Sequence, residues 1–270
     1  MKATVVVDNI GTDTIHGEWG LCIYIEYEGK KILLDAGASG AFADNAKELG
    51  VNISDVDYGI LSHAHYDHAN GMIRFFDINN KAKFYVRSGC GENCYKKVVF
   101  FKKYIGIPRH ILKDYSDRII KADGDYVIDD GITLVPHKTE GLDKVGLNEN
   151  MFVRVNRKYV PDSFEHEQSL VFDTQEGLVI FNSCSHGGAD VIIKEVADTF
   201  PDKKVLALIG GFHLFNKSES YVREFAKRVR DTGIKHVYTG HCTGNHSYGI
   251  LKEELGDIVE QLKIGLVMEF

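Results

Sequence analysis

Between His63 and His68 the sequence packs three imidazoles and one carboxylate into six residues, in the run Leu61-Ser62-His63-Ala64-His65-Tyr66-Asp67-His68. The apolar residues just before it, Tyr58–Leu61, read as a short buried strand, so the cluster falls at a strand end. Side chains alternate with a period of two in extended chain, so His63 and His65 project the same way and can grip one metal ion. Asp67 and His68 then turn toward an adjacent second ion. Burying these groups without partners would be costly, which makes packing alone a poor account of the run. Imidazole and carboxylate suit zinc, iron and manganese alike, so the motif leaves the metal open.

The rest of the chain must carry this cluster. Its 270 residues, 44% hydrophobic and 26% charged, are ordinary for a soluble globular protein with a large core. Only four prolines occur and no Pro/Gly/Ser-rich linker divides the chain, so a single domain over residues 1–270 is expected. No apolar run approaches the roughly 18 residues of a membrane span, and the N-terminus lacks a signal-peptide core. The five cysteines form no CxxC pair, which predicts reduced thiols and a cytoplasmic protein. Cys90 and Cys94, four apart, suit one helix face as structural residues.

Strand patterns dominate early, at Lys2–Val7, Leu21–Glu28 and Lys31–Leu34, and a helix capped by Ser39 follows them. Residues 91–121 read as helical and irregular. Strands return around 125–182, with a hairpin turn at Thr174–Gly177, and beyond Asp190 helices and strands alternate. This order predicts an α/β protein of stacked sheets covered by helices.

The motif His63-Ala64-His65-Tyr66-Asp67-His68 resembles the HxHxDH signature of the metallo-β-lactamase superfamily, and Leu33-Leu34-Asp35-Ala36-Gly37 is similar to its LLDxG strand end. The resemblance implies an αββα four-layer sandwich with two divalent metal ions at one edge. Zinc is the first expectation, with iron, manganese or magnesium as alternatives. It also implies that Asp35 orients a liganding histidine from behind.

Two coordination spheres need further ligands, and three later histidines follow apolar strands among small residues: His186, His213 and His241. A late histidine after a strand closes the second metal in the superfamily, and His241 matches that role. His186 is assigned to the first metal beside His63 and His65, and Asp67, His68 and His241 to the second. Asp67 and His213 are the expected catalytic residues, His213 in substrate contact or proton transfer. Many members bridge their metals with an aspartate after a strand. Here Phe181-Asn182-Ser183-Cys184-Ser185 offers none, and Cys184 is a candidate thiolate ligand or a small core residue. His16, His110, His137, His236 and His246 lack clustered partners, and His166, just before a strand, is expected at the surface, with a place in the pocket lining as the alternative.

The Ser-Cys-Ser-His, Gly-Gly-Phe-His-Leu and Gly-His-Cys-Thr-Gly segments, with an opening Val7-Asp8-Asn9, narrow the resemblance to one branch. That branch is named for 7,8-dihydropterin-6-methyl-4-(β-D-ribofuranosyl)aminobenzene 5′-phosphate synthase. It implies displacement of diphosphate from a pterin by an aryl ribofuranosyl phosphate, with Asn9 near the substrate. Trp19 and Cys22 depart from the branch's early loop. A metal-dependent hydrolase using a metal-activated water is the alternative, and a non-catalytic metal-binding module a third reading.

All the enzymatic readings call for a small phosphorylated substrate. Net charge is −7, yet Lys81–Lys121 holds eleven Lys or Arg and three acids. Such a stretch reads either as a solvated face or as a basic, lid-like cover over an anion site around 91–121. Lys96, Lys97, Lys102, Lys103 and Arg109 are its candidate phosphate contacts, and Phe100, Phe101 and Tyr104 could stack on a ring. The overall acidity argues against a nucleic-acid partner.

Overall fold

A computed structural model describes residues 1–270. Two seven-stranded sheets face each other. In the first, the strand order is Val267–Glu269, Lys2–Val7, Cys22–Tyr27, Lys30–Leu34, Tyr58–Ile60, Lys83–Arg87 and Ile119–Ala122. In the second it is Val259–Gln261, His236–Thr239, Val205–Ile209, Gly177–Phe181, Gln168–Thr174, Ile132–Pro136 and Tyr126–Asp129. Between them lies a core drawn from both, with Val5, Ile23, Ile32 and Ile60 meeting Leu134, Phe172, Phe181 and Ile209.

Each sheet is also covered on its outer face. Helices Ala41–Glu48 and Met72–Ile78 pack Phe42, Ala46, Met72 and Phe75 onto the first. Helices Ala189–Thr199, Glu219–Asp231 and Asn245–Leu255 cover the second. The result is the expected αββα sandwich. Burial on both faces explains why central strands such as Val205-Leu-Ala-Leu-Ile209 read as continuous apolar runs and not as alternation. Glu219–Asp231 shows the complementary logic. Ser218 caps it by accepting the Tyr221 N–H, and Val222, Phe225, Ala226 and Val229 make one buried stripe. In the first helix the cap position falls on Gly40, not Ser39. Ser39 Oγ still accepts the Ala41 N–H and donates to Glu18.

Residues 91–121 depart from expectation. Cys94–Val98 and Phe101–Tyr104 form a β-hairpin, joined by Met151–Val155 and Lys158–Pro161 into a separate four-stranded sheet. Only Ile111–Asp114 is helical there. Cys94 therefore opens a strand, and Cys90 and Cys94 share no helix. Aromatic and β-branched residues fit a pleated surface better than a helix, and Tyr95-Lys-Lys-Val-Val-Phe-Phe101 is rich in them. Phe100 stands 98% exposed at the hairpin tip.

The topology fixes where chemistry can gather. Lys30–Leu34, Tyr58–Ile60 and Lys83–Arg87 run parallel, as do Gly177–Phe181, Val205–Ile209 and His236–Thr239. The loops leaving their C-terminal ends carry Asp35, the 63–68 cluster, His186, His213 and His241, and they converge on one edge of the sandwich. No helix is long and apolar enough to cross a membrane.

Candidate metal centre

His63, His65 and His186 bring one ligand atom each within 4.8 Å of one another, and Asp67, His68 and His241 do the same. All six are buried. These are the two triplets that the sequence reading grouped.

The hydrogen bonds behind them assign the imidazole tautomers. Asp35, fully buried, accepts from the Ser62 N–H at 2.7 Å, the Ser62 hydroxyl at 2.7 Å and the Ser183 hydroxyl at 2.6 Å. Its Oδ2 also lies 2.8 Å from His68 Nδ1, which must donate because the carboxylate can only accept. With its proton given to Asp35, the Ser62 hydroxyl accepts from His63 Nδ1 at 2.9 Å. Glu167 takes the Nδ1 proton of His186. Asn9 Oδ1 faces His241 Nδ1 at 3.2 Å, while the Asn9 amide donates to the His241 carbonyl at 3.0 Å. Asn9 thus braces His241 and does not sit free for substrate. In each case the outer partner holds Nδ1 and turns Nε2 inward.

The inward atoms lack partners. Nε2 of His63, His65 and His186 is buried with no hydrogen bond. Burial and the neighbouring imidazoles push His63 and His65 well below the usual histidine range, so both present lone pairs. His68 Nε2 lies 3.2 Å from His241 Nε2. Two acceptor nitrogens at that separation need a proton or a cation between them. Buried polar atoms are rarely left unsatisfied, and a divalent cation would satisfy several of these at once. The donor set therefore fits a divalent metal of the zinc, iron or manganese type.

A buried chain supports the first triplet. Glu167 also contacts His137 Nε2 at 2.8 Å, and His137 Nδ1 reaches Glu195 at 3.0 Å. Burial alone would lower the His137 pKa, but the two carboxylates outweigh it and raise it to about 9. Sequence reasoning left His137 without partners, because Glu167 and Glu195 come from other elements. His166 is likewise not at the surface. It is 3% exposed, donates from Nε2 to Asp162 at 3.0 Å and accepts the Ala64 N–H at Nδ1. His65, Cys94, Asp162 and His166 also lie within 4.8 Å of one another. With both His166 nitrogens engaged, that group reads as a brace behind the 63–68 loop.

Trp19, unassigned by sequence, donates from Nε1 to Asp67 Oδ2 at 2.9 Å, and its ring lies 5.2 Å from that of His241. His213 holds a left-handed backbone (φ 48°) and both ring nitrogens are buried without a hydrogen bond. Its nearest acid is Glu149, 3.6 Å from Nε2.

These residues open into a cavity of about 220 Å³ whose lining includes Trp19, Asp67, Lys96, Lys103, His213 and Phe215. Lys96 pairs across the hairpin with Lys103, and Lys97 with Lys102. Strand alternation puts the first pair toward the cavity and the second on the opposite face. Lys102 Nζ instead sits 4.8 Å from the Phe152 ring and 4.7 Å from the Tyr159 ring. Arg109 stacks on Tyr104 at 4.1 Å. Of the five expected cationic contacts, the structure brings Lys96 and Lys103 to the site and leaves Lys97, Lys102 and Arg109 outside. Phe100, Phe101 and Tyr104 are outside it as well, and the aromatic rim is Trp19 and Phe215, 5.4 Å apart edge to face.

The sequence model of the metallo-β-lactamase superfamily matches residues 20–181, more than half of the chain. The chain belongs to that superfamily. It is 28% identical to the 7,8-dihydropterin-6-methyl-4-(β-D-ribofuranosyl)-aminobenzene-5′-phosphate synthase of Methanocaldococcus jannaschii, over 93% of this chain and 90% of that one. Among solved structures it is similar to Tm1679, described as a metal-dependent hydrolase of the β-lactamase superfamily. The TM-score is 0.85 and the identity 27%, over 100% of this chain and 99% of that one. The metallo-β-lactamase fold protein YhfI of Bacillus subtilis shares the fold at 13% identity and a TM-score of 0.61, over 100% and 99% of the two chains. Superfamily and named relative together support an enzyme.

Proposed function

We propose that this chain is a metal-dependent enzyme acting on a small phosphorylated substrate that carries a flat ring, with transfer onto a pterin diphosphate as the leading reaction. The observation that carries the reading is the set of inward-facing imidazole nitrogens left without partners beside a cavity flanked by two lysines. His63, His65 and His186 would hold one divalent ion, and Asp67, His68 and His241 a second. Such ions supply Lewis-acid charge to phosphate oxygens.

The protein's own groups do the rest. Lys96 and Lys103 face the anionic end of the substrate. Trp19 and Phe215 offer ring faces and edges at the rim for a pterin or aryl group. Asp67 is held in place by the Trp19 N–H. Burial and the neighbouring His186, Lys96 and Lys217 push the His213 pKa well below the usual histidine range, so its ring, which makes no hydrogen bond, presents a lone pair that can accept a proton from the second substrate. In transfer, the pterin C–O bond breaks with its electron pair on the diphosphate, a nucleophilic atom of the aryl ribofuranosyl phosphate bonds to that carbon, and the hydrogen that atom carried leaves as a proton. Support for this reaction comes from the methanogen synthase, similar over nearly the whole chain.

The alternative is hydrolysis, in which water replaces the second substrate. The likeness to Tm1679, described as a hydrolase, favours it. One experiment separates the two. Metal-loaded protein is incubated with a pterin diphosphate, with and without the aryl ribofuranosyl phosphate, and diphosphate is measured. Release that depends on the partner supports transfer, release without it supports hydrolysis, and no release in either arm overturns the pterin reading.

A further inference from the structure

The hairpin of Cys94–Val98 and Phe101–Tyr104 ends in apolar residues that nothing in the chain covers. Val99, Phe100 and Phe101 are 69%, 98% and 61% exposed, and Val98 beside them is exposed as well. Val98 pairs with Phe101, so Val99 and Phe100 form a two-residue turn. Turn chemistry does not account for them. Val99 takes a left-handed backbone (φ 52°), where a β-branched side chain is disfavoured and Asn or Gly would fit. A contiguous exposed apolar patch of this kind marks an interaction surface.

The next two rungs carry charge. Lys97 pairs with Lys102 and Lys96 with Lys103, roughly 3 and 7 Å behind the Val98–Phe101 rung at the usual strand rise. From Asn93 to Arg109 the sequence has five cations and no acid. Lys30, Lys31, Lys81 and Lys138 all form ion pairs, whereas the four hairpin lysines form none. The apolar surface also continues sideways. Val98 lines the cavity beside the metal centre together with Trp19, Tyr66 and Phe215, three partly exposed aromatic residues at its mouth.

An apolar tip, a cationic collar and an aromatic rim together suit a lipid interface. Apolar groups sink below the headgroups, Trp and Tyr rest at headgroup level, and lysines meet anionic lipids. A second copy of this chain fits less well. Docking two tips face to face would bring two sets of like-charged lysines together. Four side chains on a turn also fall short of the roughly 20–30 residues a side of a stable protein interface. We propose that the tip Val98–Phe101 is a peripheral anchor that inserts into an anionic lipid surface and turns the cavity mouth toward it. The docking needs neither metal nor substrate, so it stands apart from the reaction proposed above.

Vesicle co-sedimentation of the full-length protein tests this. One set of vesicles is phosphatidylcholine alone, and the other is phosphatidylcholine with an equal amount of phosphatidylglycerol. The native chain should bind the anionic set, bind the neutral set roughly tenfold more weakly or not at all, and release as salt rises. Val99→Ser with Phe100→Ser, and separately Lys97→Gln with Lys102→Gln, should each weaken binding to the anionic set by roughly tenfold. Lipids brominated on their acyl chains should quench Trp19 in the bound state. Equal binding to both vesicle sets overturns the proposal, as does binding that survives the tip substitutions, and bound protein whose Trp19 is not quenched overturns the orientation of the mouth. No vesicle binding, with a dimer in light scattering that the tip substitutions dissociate, assigns the tip to a second copy and overturns the lipid reading. Should either variant fail to fold, the native chain decides through its lipid preference, salt dependence and Trp19 quenching.

Discussion

His68 Nε2 and His241 Nε2 face each other across 3.2 Å, although the residues are 173 positions apart in sequence. Asp35 holds the far nitrogen of one ring and Asn9 that of the other, so neither ring can turn its lone pair away without losing a buried hydrogen bond. A divalent cation that binds the native state stabilises it by about 2.7 kcal/mol at a free concentration one hundred times its dissociation constant. For a chain of this size that corresponds to a rise in Tm of roughly 5–10 °C. Thermal unfolding before and after chelation should show the difference, with reversal on adding zinc back. His241→Ala should remove one of up to two bound equivalents in elemental analysis, and unchanged stoichiometry would exclude its ligand role.

Asp35 shows how a buried charge can organise a site without entering it. It takes four hydrogen bonds, three of them from Ser62 and His68 at the two ends of the histidine run. Asp35→Asn keeps the volume but puts an amide N–H where at least one donor now points. Loss of such an outer partner weakens metal binding by roughly 10–100-fold. Competition titration against a chromophoric chelator should find the zinc affinity reduced within that range, and an unchanged affinity would show that the serines suffice.

The hairpin lysines differ by the face they occupy. Lys96 and Lys103 line the cavity, whereas Lys102 lies over Phe152 and Tyr159. Lys96→Gln with Lys103→Gln should raise KM for a phosphorylated substrate by roughly tenfold, equivalent to about 1.4 kcal/mol, and should leave a neutral ester nearly unaffected. Lys97→Gln with Lys102→Gln should do neither. Equal effects from the two pairs would remove the idea that one face of the hairpin recognises phosphate.

That contrast also marks what the sequence could disclose. The two donor triplets were legible because their histidines lie in loops that follow apolar strands, and parallel strands deliver those loops to one edge. The sandwich was legible because runs such as Val205–Ile209 are buried on both faces. The lysine hairpin was misread as helical because Lys-Lys-Val-Val-Phe-Phe-Lys-Lys has no clean period, and only pairing with Met151–Val155 gives it a partner. His137 and His166 were missed for a related reason. Their partners, Glu167, Glu195 and Asp162, are set by tertiary packing, and a solitary histidine in sequence carries no sign of them. Asn9 was placed near the substrate by resemblance, and its contacts with His241 emerge only once the first strand lies beside the last loops.

Trp19 supplies a probe that needs no substrate. It is the one tryptophan of the chain, its Nε1 donates to Asp67, and its ring lies 5.2 Å from that of His241. A cation drawing on Asp67 and His241 would withdraw electron density from both neighbours of the indole and stiffen its surroundings. Titrating metal-free protein with zinc should therefore change the intrinsic emission and saturate at the stoichiometry found by elemental analysis. Cobalt, which is paramagnetic, should quench it more strongly. Trp19→Phe keeps an aromatic ring but deletes the N–H. It should abolish the signal, cost about 1 kcal/mol for the lost hydrogen bond, and weaken the second equivalent more than the first. Emission that ignores both ions while the metals demonstrably bind would place them away from Asp67 and His241, and the second triplet would have to be redrawn.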